Sequence, residues 1–287
     1  MYATLQWFGT ATWRLAVADT VIWLDAYIER APTAAPVPQR APDVTAADYI
    51  LIGHSHFDHI ADAATVAHNT GATVVGSALS CEIVQDDGVP ESQTIPCSGG
   101  EALELGPVRV RTLRSLHGFN GLREWPDPAG KTRLDRIAEL KAKSPELAAA
   151  SAAHTANIPE KQRNDGGPLA YLLEWDGFRL FWHDTPGMVA ESWEEAARTP
   201  ADLALLAAAA GFSTPNIDGE PQHDGVVPFV TGMTRILRPG RVILNHHDDW
   251  LPPVTFHLDE AQFAEPLANA GSRIDVRGVG EMFELVP

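Results

Sequence analysis

Cysteine is nearly absent: the 287-residue chain carries two, Cys81 and Cys97. Two cannot frame a disulfide-rich fold, and a reducing compartment is the natural setting for a pair of free thiols. Positive charge is scarce too, with 21 Lys and Arg against 38 Asp and Glu and a net charge of −17. Gripping a phosphate backbone takes clustered Lys and Arg that displace counterions, so nucleic acid is not an expected partner. Long apolar runs are missing as well. The run at 203–210 is Ala-rich and falls far below the roughly 18 residues of a membrane span. The start, Thr4-Leu5-Gln6-Trp7-Phe8-Gly9, reads as a strand rather than as the charged and then apolar segment of a secretory leader. Together these absences predict a cytoplasmic protein without membrane contact, acting on a small molecule. Oligomeric state is not legible.

What is present is ordinary globular material, 45% hydrophobic, enough for a sizeable core. Residues 4–8, 12–17 and 20–26 are short apolar or β-branched runs and predict an antiparallel meander. Residues 48–53 read as a buried strand, 60–69 as a helix closed by Gly71, 72–76 as a strand, 77–86 as a helix and 108–113 as a strand. A polar helical stretch over 133–153 suits an exposed helix. The segment 118–167 reads as a helical insertion between core elements that shapes a substrate pocket. Strands resume at 169–175 and 178–183 around the Asp176-Gly177 turn. A helix over 191–198, a strand over 203–208, a helix over 226–237, a strand over 242–245, a helix over 259–270 and a final strand over 273–276 complete the pattern. Hairpins followed by alternation predict one α/β (α+β) domain over 1–287, with two mixed sheets packed together and helices outside.

The chemistry concentrates in His54, His56, Asp58 and His59, which follow Gly53 at the end of the 48–53 strand. On a helix, a spacing of two would put His54 and His56 on different faces; in a tight loop after a strand, the side chains can converge. Imidazole nitrogen and carboxylate oxygen are what zinc and similar ions prefer. Three more candidates stand at strand exits: His117 before Gly118, Asp184 before Thr185-Pro186-Gly187, and His246 before His247-Asp248-Asp249-Trp250. Functional residues gather on loops at one rim of a rigid sheet scaffold. Strand alternation lets only one of His246 and His247 face such a site easily, and His246 is favoured.

With these residues in order, the chain resembles the metallo-β-lactamase superfamily. The resemblance rests on His-x-His-x-Asp-His at His54, His56, Asp58 and His59, a later His117, Asp184 and a last His246, and it covers nearly the whole chain. It implies a four-layer αββα sandwich of two mixed sheets. Within the superfamily the chain looks most like the L-ascorbate-6-phosphate lactonase-like branch, on the short start Trp7 to Thr12, then Leu24-Asp25, and on His246-x-x-x-Trp250. The resemblance further implies two Zn2+ ions, one held by His54, His56 and His117, the other by Asp58, His59 and His246, with Asp184 bridging. Mn2+, Fe2+ or Ni2+ suit the same ligands. The implied activity is hydrolysis of a small-molecule ester, lactone or phosphodiester bond by a metal-bridging hydroxide. A nuclease of the same fold, or a non-catalytic metal-binding protein, are the alternatives. Asp58 and Asp184 would serve catalysis as well as binding, and His223 is a candidate proton donor to a leaving group. His183 precedes Asp184 where relatives usually have Gly. Asp25 is a candidate partner of the first motif; His247, Asp248 and Trp250 are candidates to orient the last ligand or line the pocket. His68, His154 and His257 are expected at the surface.

Overall fold

The computed structural model describes residues 1–118, 133–187, 189–209, 214–215, 221–223, 226–253, 255 and 257–285. The apolar runs at the start become β1 (Ala3–Trp7), β2 (Trp13–Val17) and β3 (Thr20–Leu24), paired antiparallel in succession. Alternation in β2 buries Trp13, Leu15 and Val17 on one face, as the two-residue period of a strand requires. From β3 the sheet continues in parallel through β4 (Tyr49–Leu51), β5 (Thr73–Gly76) and β6 (Thr94–Pro96). Parallel neighbours need crossovers, and here these contain α1 (Phe57–Ile60), α2 (Ala63–Thr70) and α3 (Ala78–Asp86). Gly71 ends α2 at φ +77°, and Ser77 opens α3 by accepting the Ser80 N–H at 3.1 Å.

The second sheet begins with β7 (Ala102–Leu105) and β8 (Val108–Arg114). Next in sequence come α4 (Arg133–Lys143) and α5 (Pro145–Thr155), then β9 (Leu169–Trp175) and β10 (Phe178–His183). α6 (Ala190–Arg198), β11 (Leu203–Ala207), β12 (Thr214–Pro215), β13 (Pro221–His223) and α7 (Val226–Leu237) follow. β14 (Arg241–Asn245), α8 (Ala261–Asn269), β15 (Arg273–Ile274) and β16 (Met282–Glu284) complete the described elements. The strand orders are β16-β1-β2-β3-β4-β5-β6 and β15-β14-β11-β10-β9-β8-β7, with β12-β13 as a separate pair. Both large sheets are mixed. Their facing sides share one core in which Leu5, Trp13, Leu15 and Ile22 meet Tyr171, Leu180, Trp182 and Leu205. α2 and α3 cover the outer face of the first sheet, and α6, α7 and α8 that of the second. This is the expected αββα sandwich of the metallo-β-lactamase fold.

Strand direction decides where functional residues emerge. β8 and β10 are each antiparallel to β9 and therefore run the same way, while β10, β11 and β14 are mutually parallel. The chain thus leaves β8, β10 and β14 at one edge, carrying His117, Asp184 and His246. β3 and β4 are likewise parallel, so Asp25 and His54 emerge together.

Several elements differ from the sequence expectation. The helix expected over 133–153 is two, because Pro145 takes the first turn of α5 and disfavours helical backbone at Ser144. The strand expected over 273–276 shortens to β15, and β16 follows it, pairing antiparallel with β1. The short β6, β7, β12 and β13 carry no alternation strong enough to announce them. β8 and β9 pair directly across the whole of 118–167, so that segment is an excursion from the sheet; residues 119–132 lie outside the described set.

Candidate metal centre

The loop after β4 is shaped by backbone and steric demands. Gly53 donates its N–H to Asp25 Oδ1 at 2.9 Å and accepts from Leu169 N at 2.7 Å. A Cβ at Gly53 would lie 2.1 Å from Asp184 Oδ2, so glycine is what allows the β10 exit to pack against the β4 exit. Ser55 N donates to Asp165 O at 2.9 Å, and Ser55 Oγ meets Ser80 Oγ at 2.8 Å. His56 then caps the single turn of α1, which carries Asp58 and His59 inward.

Three overlapping donor groups result: His54, His56 and His117; His54, His59 and Asp184; and Asp58, His59 and His246, each with donor atoms within 4.8 Å of one another. The His54 ring lies 4.8 Å from those of both His56 and His117, and His56 and His117 are 4.6 Å apart. Asp184 Oδ2 stands 2.5 Å from His54 Nδ1 and 3.2 Å from His59 Nδ1, so this carboxylate spans the outer groups. Asp58 Oδ2 lies 3.3 Å from His246 Nε2 and 3.7 Å from His59 Nε2. All seven sequence candidates for metal binding therefore converge on one place.

Their supports reach further out. Asp25, in the left-handed region at φ +55°, binds the Gly53 N–H through one oxygen and His59 Nδ1 at 2.6 Å through the other. Such outer carboxylates fix the orientation of a ligating imidazole. His246 is also left-handed, at φ +57°, and donates its N–H to Thr10 O at 2.7 Å. Thr10 N donates to Asp248 Oδ1 at 3.0 Å, and Asp248 Oδ2 pairs with the buried Arg30 guanidinium. His247 turns away from this centre to stack on Trp7 at 5.0 Å. His183 also points elsewhere, to Ser115 Oγ at 2.7 Å and towards Phe229.

Burial sets much of the electrostatics. It pushes His54 and His117 down to about 3 and lowers His56, leaving neutral imidazoles, the form that ligates cations. Burial also opposes charge on His59, but Asp25 and Asp58 outweigh it and raise His59 well above its ordinary value. Burial favours protonated Asp58 and Asp184, yet neighbouring histidines, His59 for Asp58 and His54 for Asp184, hold both below the usual carboxylate range. Burial raises Asp25 to about 8 against the pull of His59. The cluster thus gathers the buried acidic side chains of Asp25, Asp58 and Asp184 around neutral imidazoles at His54, His56 and His117 and a His59 whose charged form is favoured. Asp184 Oδ1 and His246 Nδ1 are buried without a hydrogen-bond partner. The orphaned Asp184 oxygen among imidazole and carboxylate donors fits one or two divalent cations, which would satisfy the lone pair that the protein leaves unpaired there.

A second set of side chains borders the centre, and of these the sequence flagged only Trp250. Tyr27 meets both Phe57 and Trp250 edge-to-face, Phe57 and Trp250 lie tilted against each other, and Trp250 also packs on His246 at 5.5 Å. His154 is not a free surface residue: it is half-buried and meets Tyr27 Oη at 2.9 Å from the excursion helix α5. His68 is exposed, as expected, and hydrogen-bonds Asp87 O at 3.0 Å. The backbone of His223 belongs to β13, but its side chain lies outside the described residues. Asp62, also unflagged, accepts the N–H groups of Ile28 and Glu29 at 2.6 and 2.8 Å and so fixes the segment after Tyr27.

A family model described as a beta-lactamase superfamily domain matches residues 20–247, and the chain belongs to the metallo-β-lactamase superfamily. Among curated proteins it is similar to a UPF0173 metal-dependent hydrolase of Pyrobaculum calidifontis, 34% identical over 119 residues, 40% of this chain and 51% of that protein. A namesake from Rubrobacter xylanophilus is 34% identical over 114 residues, covering 39% and 45%. The chain spans about half the length of the curated relatives it matches. Among solved structures, Igni18, a metallo hydrolase from Ignicoccus hospitalis, superposes with a TM-score of 0.67 at 18% identity, covering 100% of this chain and 99% of that one. CmlA, a diiron β-hydroxylase from Streptomyces venezuelae, gives 0.63 at 14% identity, covering 99% and 54%. These two likenesses establish the fold alone; a hydrolase and a hydroxylase share it, so fold does not choose the reaction.

Proposed function

We propose that this chain is a metal-dependent hydrolase that cleaves a small-molecule ester or lactone bond, with a phosphodiester as the next substrate class. The observation that carries the reading is Asp184, a buried carboxylate set between two three-donor clusters with one oxygen facing no partner. His54, His56 and His117 would hold one ion, Asp58, His59 and His246 the second, and Asp184 both; zinc suits this donor set best. When bound, such ions lower the pKa of a water and polarise the oxygen of the bond under attack. The protein's own residues supply the rest. Asp25 orients His59, the Thr10 and Asp248 contacts orient His246, and the Tyr27, Phe57 and Trp250 group offers an apolar wall beside the centre. A net charge of −17 supports a small molecule over nucleic acid as substrate, and two buried thiols suit the cytoplasm. No helix among the described residues is long and apolar enough to cross a membrane. The lactonase-like branch is supported by the short Trp7 to Thr12 start and the His246-x-x-x-Trp250 ending.

The test is elemental analysis of the purified protein beside hydrolysis of a panel of lactones, aryl esters and phosphodiesters. The reading expects about two equivalents of metal at this centre and turnover of at least one class, with metal content lowered and turnover lost in His56→Ala and Asp184→Ala. Protein that stays metal-free after incubation with zinc or manganese, or metal-loaded protein inert on every class, would overturn it.

A further inference from the structure

A second histidine–carboxylate cluster lies apart from the centre described above, formed by His247, His257 and Glu260, with one donor atom from each within 4.8 Å of the others. His247 Nε2 stands 3.0 Å from Glu260 Oε1, and His257 Nε2 stands 3.2 Å from Glu260 Oε2. Four-coordinate zinc with bonds of 2.0–2.1 Å places adjacent donors about 3.3 Å apart, so these spacings need little adjustment. We propose that these three residues form a separate site for one divalent transition metal ion of the zinc class.

Three features set this cluster apart from a chance surface grouping. First, its members are preorganised. The His247 ring is stacked between strand and loop on Trp7, 8° from parallel, and Leu258 N donates to His247 O at 2.8 Å, tying the two segments together before any ion binds. Glu260 stands at the N-terminal cap position of α8 and is therefore fixed by that helix. Second, the cluster is graded from inside to outside: the side chains of His247, Glu260 and His257 are 3%, 16% and 56% exposed. The inner ligand is locked, while the outer one can swing to admit an ion and leave a coordination position for water. Third, His257 and Glu260 line an open cavity of about 470 Å3 together with Asp248 and Asp249. Carboxylates at a cavity mouth raise the local cation concentration. Among the described lining residues the one Lys or Arg, Arg277, is held by Asp275 at 2.9 Å and by Glu281 at 2.6 Å, while Asp248 is paired with Arg30, which leaves Asp249 and Glu260 as the acidic groups facing the cavity.

Two imidazoles and one carboxylate with an open position is the donor set of a zinc site that retains a water. His247 directly follows His246, so an ion here ties the start of α8 to the loop that presents His246 to the main centre. The site is independent of the proposed hydrolase reading, because its donors are not shared with His54, His56, Asp58, His59, His117, Asp184 or His246.

The experiment is metal counting on the full-length chain. Wild type, His257→Ala, Glu260→Gln and His56→Ala are stripped with chelator, loaded with excess zinc, desalted and measured by elemental mass spectrometry, with thermal melts run beside them. His257 is the most exposed of the three, so its replacement leaves the fold intact, and the melt of the metal-free protein verifies this. The proposal expects His257→Ala and Glu260→Gln each to bind one equivalent fewer than wild type, whatever number the main centre holds. It also expects zinc to raise the melting temperature less in both. His56→Ala, in contrast, would lose metal from the main centre and keep the equivalent that His257→Ala removes. Equal zinc content in wild type, His257→Ala and Glu260→Gln would overturn the proposal and leave Glu260 as a hydrogen-bond acceptor for two histidines. That outcome says nothing against the main centre, whose failure would show instead as wild-type zinc that His56→Ala does not reduce.

Discussion

Replacing Gly53 by Ala adds a single methyl group at the point where the β4 and β10 exits touch. That methyl carbon would lie 2.1 Å from Asp184 Oδ2 and 2.2 Å from its carboxyl carbon. Van der Waals contact begins near 3.5 Å, so the shortfall is roughly 1.4 Å. Neither side can yield cheaply. Gly53 is pinned through its N–H to Asp25 and through its carbonyl to Leu169. Asp184 is wholly buried and held by His54 and His59. Overpacking of this kind costs about 1–3 kcal/mol. The larger effect should fall on the metal. Moving the carboxylate between the two donor clusters by about 1 Å is expected to weaken zinc binding on the order of 10–100-fold, the range seen when the surroundings of a metal ligand are disturbed. The assay is a competition titration of zinc against a chromophoric chelator, with Gly240→Ala as control. At Gly240 the added methyl meets Asp202 O at 3.6 Å, an ordinary contact. A Gly53→Ala protein with wild-type zinc affinity and wild-type melting would refute the claim that Asp184 is clamped where the structure puts it.

Other outcomes follow from the same contacts. Asp25→Asn keeps the size of the side chain but replaces one of the two oxygens that hold the Gly53 N–H and His59 Nδ1, and zinc affinity should fall about 10–100-fold while the fold survives; unchanged affinity by the same titration would show that Asp25 is only a turn residue. Burial raises the Cys81 thiol to about 11 and the Cys97 thiol to about 12. The thiolate is therefore a minor form below those values, and at pH 8 neither should react with a disulfide reagent in native protein, whereas denaturant should release two reactive thiols. Asp248→Ala leaves Arg30 buried without its partner and should cost about 3–5 kcal/mol in urea unfolding, with much of the loss recovered when Arg30 is also replaced by Met. Leu205→Ala, in the core shared by both sheets, should cost about 2–5 kcal/mol by the same measurement; a loss under half of that would mean the two sheets are less tightly packed than the structure shows.

The sequence made the site more legible than its surroundings, for a physical reason. His54, His56, Asp58 and His59 are chemically unusual at that density, so they stood out without any knowledge of the fold. Strand exits located His117, Asp184 and His246, since parallel strands deliver their carboxyl ends to one rim. Asp25 was visible only as a candidate, because a carboxylate that ends a strand looks the same whether it closes a turn or holds a histidine. Tyr27 and His154 were not readable, since their contact joins α5 to the segment after β3 and depends on how the excursion folds back. The break at Ser144-Pro145 was legible in principle from the proline alone. β16 was not, because an edge strand of three residues is defined by its partner β1 and not by its own pattern. His257 and Glu260 carried no signal in the sequence: His257 looked like a surface residue, and only the turn into α8 brings both to His247.

The most direct test of the central claim, that His54, His56, Asp58, His59, His117, Asp184 and His246 together hold a pair of metal ions, is anomalous diffraction at the zinc edge from crystals of the zinc-loaded protein. The account predicts two adjacent peaks, one against His54, His56 and His117, the other against Asp58, His59 and His246, with Asp184 between them. A single peak there, or none, would contradict it.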